Sequence, residues 1–314
     1  MSEQAVPAPI SQPKGSFFAG AQRPPWMEKT PLWMQILKGL TIVFIVIVMV
    51  VPFINILSVS LSTYADTLRG GFVLFPENPT LDAYRAIFRG GIVTRALQIS
   101  FGLTIVGTAL QMAFTTTMAW GLSRPGVPGS RAVLFVVLAA LLFSPGIIPS
   151  YLLIKELNLL NTYAALILPG LISSFNLIIV RQFFLNLPSD LLESARLDGA
   201  SEFQLFKDIA LPLSKAVLAV VALFYAVGIW NNFFNAVLYI TDATMWPIQL
   251  VLRQYVLQGS DIAAAAEATS NRPLPPARTL QMAIVVVATT PILLVYPFLQ
   301  RYFTQGVLSG AIKG

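Results

Sequence analysis

Pro188-Ser-Asp-Leu-Leu-Glu-Ser-Ala-Arg-Leu-Asp-Gly-Ala-Ser-Glu-Phe-Gln-Leu-Phe-Lys-Asp-Ile-Ala-Leu-Pro212 is the most polar helix-forming stretch of this chain, and it stands between two long apolar runs. Its residues spell two short helices separated by a turn. Ser189 or Asp190 can cap the first by accepting hydrogen bonds from the free N–H groups of its first turn. Gly199 can take the left-handed conformation that ends that helix. Ser201 can cap the second, acidic Glu202 suits its first turn, and Pro212 marks the exit. Leu192, Ala195, Leu205, Phe206 and Ile209 give the pair an apolar face. A hairpin with such a face and no core of its own needs a groove to dock in.

The runs on either side, near 163–184 and 214–240, are long and apolar enough to cross about 30 Å of hydrocarbon at about 1.5 Å per residue. Four more lie near 39–61, 96–122, 132–154 and 279–300. Each is too long for a barrel strand and lacks strict alternation, so helices are expected. Of the 314 residues, 56% are hydrophobic and 11% charged, against about 25% charged in an ordinary soluble domain. The expected fold is therefore an all-α integral membrane protein with six transmembrane helices. An even number of spans puts both termini on one side. With the termini in the cytoplasm, 12 Lys and Arg fall inside and 8 outside, the direction expected of an inner-membrane protein. Residues 1–35 carry Pro7, Pro9, Pro13, Pro24, Pro25 and Pro31 and no signal-peptide pattern, and read as a proline-rich cytoplasmic tail. Trp26, Met27, Leu32, Trp33 and Ile36 suit a short interfacial segment at its end.

The chain has neither cysteine nor histidine, which excludes disulfides, thiolate chemistry, histidine metal ligation and histidine acid–base catalysis. A membrane-embedded enzyme would need catalytic groups converging at one depth, and no such set is present; no catalytic and no metal-ligating residues are assigned. The net charge of +6 suits contact with anionic membrane lipid, and no basic run interleaved with aromatics points to nucleic acid. The spans lack mid-membrane acids or bases, whereas ion-coupled carriers need such groups to bind protons or Na⁺. Arg181 and Lys215 sit at expected span ends, where long side chains reach the interface. There is also no G-x-x-x-x-G-K-[ST] phosphate loop. A transport chain with no energy source of its own requires a partner that supplies one.

The hairpin resembles the coupling loop of the permease subunits of ABC importers, whose pattern is E-A-A-x3-G-x9-I-x-L-P. Here it reads Glu193-Ser194-Ala195, three residues ending in Asp198, Gly199, nine residues, then Ile209-Ala210-Leu211-Pro212, departing only at Ser194. Three further stretches resemble the carbohydrate-uptake branch, in its second, maltose-permease-like membrane subunit: Leu157-Asn-Leu-Leu-Asn-Thr-Tyr163, Trp230-Asn231, and the end from Gln300 to Gly314. Phe233-Phe234-Asn235-Ala236 through Trp246-Pro247 resembles the subgroup that imports oligosaccharides of complex polysaccharides. The resemblance spans residues 36–314 and implies the six-helix, type I importer architecture.

It implies a permease that imports carbohydrate, an oligosaccharide, across the bacterial cytoplasmic membrane by alternating access. A permease for another solute class and an ion-coupled secondary transporter are the other readings. The implied partners are a homologous second permease subunit, an ATPase dimer and an extracellular or periplasmic solute-binding protein. This chain would hold no cofactor, ATP and Mg belonging to the ATPase. Residues 189–212 would seat in a cleft of that ATPase, with Gly199 making the turn and Glu193 bracing the loop through hydrogen bonds or an ion pair. Trp230, Asn231, Asn232 and Asn235 crowd one span; they either line the solute pathway or hold neighbouring helices together. The long connection 241–278 either faces the binding protein or is a surface helix with a proline spacer. Gly306–Gly314 either reaches the ATPase or frays. Gly102, Gly107, Ala119 and Gly121 read as close helix packing.

Overall fold

The structure, a computed structural model, describes residues 31–68, 71–89, 91–143, 145–257 and 276–311. The expected interfacial residues Trp26 and Met27, the tail before them, residues 258–275 of the long connection and the last three residues lie outside the described residues, as do the side chains of 298–311. Every regular element among the described residues is helical.

Helix α1 is Leu32–Ser60. The chain divides into two compact units at Pro52. In the first, α1 presents an almost unbroken run of exposed large apolar side chains, from Leu32 to Val50. Such a surface belongs in hydrocarbon or against another membrane helix.

The second unit begins at Phe53. It holds the end of α1, then α2 (Tyr64–Leu68), α3 (Asp82–Arg89), α4 (Ile92–Ser123), α5 (Ser130–Leu142) and α6 (Ile147–Glu156). There follow α7 (Ala164–Ile167), α8 (Ser174–Leu185), α9 (Ser189–Leu197), α10 (Glu202–Gln204), α11 (Leu211–Leu213), α12 (Lys215–Trp230) and α13 (Phe233–Tyr239). Helix α14 covers 248–257, and α15 is Ala277–Ala311. Helix α4 packs along α8 and α12, and α12 in turn along α15. Close approach of α4 and α12 depends on Gly107, where an added Cβ would lie 2.6 Å from Ile229 Cδ1 and 3.5 Å from Ile167 Cγ1. Gly102 and Gly121 have open space around them, so of the small residues expected to pack, Gly107 and fully buried Ala119 do so within the chain. Gly107→Val should overpack this contact and cost about 1–3 kcal/mol, read as a lower apparent melting temperature of the detergent-purified chain.

Three continuous helices are long and apolar enough to span: α1, α4 and α15 from Ala277 to Val295. The other three expected spans are interrupted. The run 132–154 breaks at Phe143–Gly146 into α5 and α6, where Gly146 has φ +82° and Pro145 has no N–H to give. The run 163–184 bends by 50° between Gly170 and Ser174. The run 214–240 breaks at Asn231–Asn232, so that α12 has 16 residues, about 24 Å of helix. At the other end α12 meets the preceding helical stretch at 83°. That stretch lies across the direction of the bundle helix and is not an extension of it.

Candidate functional site

The hairpin forms as two caps back to back. Helix α9 ends in the full pairing of a left-handed glycine terminus: Gly199 at φ +87°, its N–H on Arg196 O at 3.0 Å, and Ala200 N–H on Ala195 O at 2.9 Å. Two residues on, Ser201 opens the next helix with a capping box. Its backbone N–H donates to Gln204 Oε1 at 2.7 Å, and its Oγ accepts from the Gln204 N–H at 3.4 Å. Arg196 bridges the turn to Glu202 at 2.7 Å. Both side chains are largely exposed, so this ion pair adds little, and the two caps hold the turn. Ser201→Ala should cost about 1 kcal/mol of local stability, visible as faster hydrogen exchange at the Gln204 amide.

The N-terminus of α9 differs from expectation. Pro188 occupies the cap position, Ser189 is already helical, and neither Ser189 nor Asp190 accepts a bond from the first turn. Proline's fixed φ starts the helix instead. Pro212 lies inside α11, and the chain turns two residues later at Ser214. From Leu205 to Ala210 the backbone is π-helical, a widened turn that is rare and often found at functional positions.

The apolar face expected to dock elsewhere is docked in its own chain. Leu192, Leu205, Phe206 and Ala210 are buried, with Ala195, Ile209 and Leu211 packed beside them, against Trp120, Leu177, Val180 and Phe184 at the ends of α4 and α8. Phe206 stands 5.8 Å from the ring of Trp120 and 6.4 Å from that of Phe184, and Trp120 meets Phe184 edge-on at 5.6 Å. The Arg124 guanidinium lies 3.8 Å over the Trp120 ring, and Arg181 Nε donates to Leu122 O at 2.9 Å, closing the end of α4. What remains outward is a different set. Leu197 is 89% exposed and Phe203 69%, one on each side of Gly199, beside exposed Glu193, Ser194 and Asp198. Among the described residues Glu193 makes no hydrogen bond or ion pair. The ion pair across the turn is Arg196–Glu202, not one made by Glu193.

Behind the hairpin, the second unit contains a cavity of about 340 Å³. It sits where the backbone of the bent span leaves helical geometry. Gly170 O accepts from Gln111 Nε2 at 2.7 Å, and the Ser173 N–H donates to Tyr225 OH at 3.1 Å. Tyr225 OH also shares a 2.6 Å hydrogen bond with Thr115 Oγ1. These partners, from α4 and α12, satisfy the groups that the bend sets free. Broken backbone at membrane depth is tolerated when it is buried in protein or lines an aqueous cavity. Among the described residues the wall carries Gln111, Ser173, Asn176, Asn232 and Asn235 and no ionisable group other than the engaged Tyr225. Phe224 and Gly228 line it and are exposed, so it opens along their side of α12.

The four span-five residues thus separate. Asn232 and Asn235 reach the cavity. Trp230 does not: it is buried among α3, α4, α14 and α15, donates Nε1–H to Ala288 O at 3.1 Å and meets Phe101 edge-on at 5.1 Å. Asn231 is exposed at the end of α12. Gln111, Ser173, Asn176, Tyr225 and Gly228 were missed in the sequence. The signal that could have found two of them is the amide nearest the middle of each of two mostly apolar runs, Gln111 and Asn176, since Gln98 and Gln182 lie near the ends of theirs. The connection after α13 is fastened by Asn161, at φ +57°, whose Oδ1 accepts from the Thr241 N–H at 2.7 Å and the Asp242 N–H at 3.2 Å. The Asp242 carboxyl is held below its usual range by the Thr244 backbone and hydroxyl donors. No group of three or more Asp and Glu that could hold a metal is present among the described residues.

A bundle whose described elements are all helical, with interrupted spans, an uncharged polar cavity at the interruptions and a capped hairpin presenting bare apolar side chains, has the build of a membrane transport component. The chain belongs to the family of binding-protein-dependent transport system inner membrane components, whose model matches residues 32–309. Its relatives include protein LplC of Bacillus subtilis (strain 168), 49% identical over 84% of this chain and 90% of that protein. The polygalacturonan/rhamnogalacturonan transport system permease protein YtcP of the same organism is 42% identical over 91% of this chain and all of that protein. Among solved structures, a chain of a bacterial ABC transporter involved in the import of the acidic polysaccharide alginate matches with a TM-score of 0.81 and 25% identity, over 89% of this chain and all of that one. The resemblance to ABC importer permeases read from Glu193 to Pro212 is therefore upheld, over residues 32–309. It is a transport subunit of the inner membrane and not an enzyme.

Proposed function

We propose that the chain is the permease subunit that couples ATP hydrolysis on a separate protein to the import of carbohydrate, an oligosaccharide, by alternating access. In this reading residues 36–314 form the six-span permease domain, 1–35 its cytoplasmic tail, and both termini are cytoplasmic. The hairpin 189–212 is the coupling element. Its partners are an ATPase dimer that holds the ATP and Mg, a homologous second permease and an external solute-binding protein. The observation that carries the reading is the division of labour within the hairpin. One apolar face is locked into the bundle, while Leu197 and Phe203 project bare beside Gly199. A lever needs both: a rigid grip on what it moves, and a contact for what drives it. Binding of ATP shifts the population between inward- and outward-facing states only if the ATPase grips the two states differently. The solute class rests on the relatives named for polysaccharide and oligosaccharide transport.

The test is uptake of labelled oligosaccharides into proteoliposomes carrying both permeases, with ATPase and binding protein added. Uptake should need ATP, the ATPase and the binding protein together. Accumulation without the ATPase, driven by a proton or Na⁺ gradient, would overturn the reading.

A further inference from the structure

We infer that the cavity between α4, α8, α12 and α13 is a sugar subsite of this subunit, one that takes an uncharged glycosyl segment by its hydroxyl groups. The inference rests on the carbohydrate reading and deepens it. Gln111 is 5% exposed; its Nε2 is spent on Gly170 O, and its Oε1 has no partner. That oxygen is closed off from the cavity, so Gln111 holds the wall in shape and the contacts for a ligand fall to other amides. Asn176 is also 5% exposed, and its side-chain amide, like those of Asn232 and Asn235, makes no hydrogen bond among the described residues. These three amides each offer a donor group and an acceptor, the pairing that a sugar hydroxyl, itself donor and acceptor, can answer.

The rest of the wall fits the same class. Phe224 supplies an exposed apolar ring at the opening, a surface for the C–H face of a sugar ring. At Gly228 an added Cβ would meet nothing within 4 Å. Packing inside the chain therefore does not explain that glycine, and a side chain there would project into the opening. The volume lies at the small end of ligand sites, which suits part of an oligosaccharide and not a long chain. Among the described residues no Arg or Lys lines it, so a uronate carboxylate would enter without a counter-charge from them and lose its water for nothing. The acidic polysaccharide named for the alginate transporter is thus a poor guide to this wall.

The experiment uses the complete importer in proteoliposomes and the matched pair galactotriose and trigalacturonate, which differ by hydroxymethyl against carboxylate. Galactotriose should be imported. Asn176→Leu and Asn232→Leu should each raise its apparent KM about tenfold, the worth of one to two hydrogen bonds, with KM and maximal rate read separately. If a variant fails to assemble, Gly228→Cys serves instead. The chain has no cysteine of its own, and alkylation at 228 should be slowed by galactotriose and not by trigalacturonate. Unchanged KM in both variants, or alkylation indifferent to galactotriose, overturns the subsite and leaves the carbohydrate reading intact. Import of trigalacturonate in preference overturns its neutrality. Import of neither sugar removes the carbohydrate reading for this pair and the inference with it.

Discussion

Phe203→Asp is expected to leave the chain folded and inserted while reducing sugar-stimulated ATP hydrolysis and uptake to near background. Phe203 is 69% exposed and belongs to none of the buried cores, so its replacement leaves those cores intact. In a docked complex a bare aromatic that fills a pocket is worth about 2 kcal/mol or more, roughly 30-fold in affinity. Aspartate adds an unpaired charge to that loss. Leu197→Asp should act in the same direction and more weakly, since leucine is a poorer anchor than an aromatic. Co-purification of the ATPase with the variant, compared with the parent chain, reads the effect directly. Retention of the ATPase at parental yield would move the contact away from the Gly199 turn.

Phe184→Ala should do the opposite: damage the bundle first and coupling as a consequence. Phe184 is 1% exposed and touches Trp120 and Phe206 edge-on, so it joins α4, α8 and the hairpin in one aromatic cluster. Lipid tails are as apolar as the core, so the transfer part of the loss is small here. The cavity part remains: roughly 100 Å³ at about 24 cal/mol per Å³ gives about 2–3 kcal/mol. The expected readouts are a lower apparent melting temperature and protease cutting within 189–212, even before ATPase is added. A variant that melts like the parent would mean that the hairpin does not depend on this cluster for its seat.

The contrast between those two phenylalanines shows what was and was not legible in the sequence. The turn itself was readable. A glycine followed two residues later by a serine reads as a helix end and a helix start, because the rules act within a few residues; the reach of Gln204 back to the Ser201 N–H came only with the structure. Glycine is the residue that takes φ +87° without steric cost. The continuous spans α4 and α15 were readable for the same reason, as unbroken runs of apolar side chains. The apolar face of the hairpin was readable too, for Leu192, Ala195, Leu205, Phe206 and Ile209 are the residues that pack inward; what it packs against was not, because the place of Trp120 and Phe184 next to the hairpin is a tertiary fact.

The interruptions were hidden for a similar reason. The bend at Gly170–Ser174 is stabilised by Gln111, 59 residues earlier, and Tyr225, 52 residues later. No local pattern records such partners. The break at Asn231–Asn232 is visible in the sequence only as a polar pair, in one group with Trp230 and Asn235. In the structure Trp230 belongs to the packing of α12 on α15, and Asn232 to the cavity. Glu193 sits at a position of the coupling-loop pattern and yet has no partner among the described residues. That leaves its carboxylate free for a contact outside the chain, consistent with the proposed docking.

The most direct test of the account uses the absence of native cysteine. A single Phe203→Cys in the assembled importer should form a cross-link to the ATPase subunit with a short bifunctional thiol reagent, and should resist a membrane-impermeant thiol label applied to intact cells. Labelling of that cysteine from outside the cell, or its cross-linking to the solute-binding protein in place of the ATPase, would contradict the account.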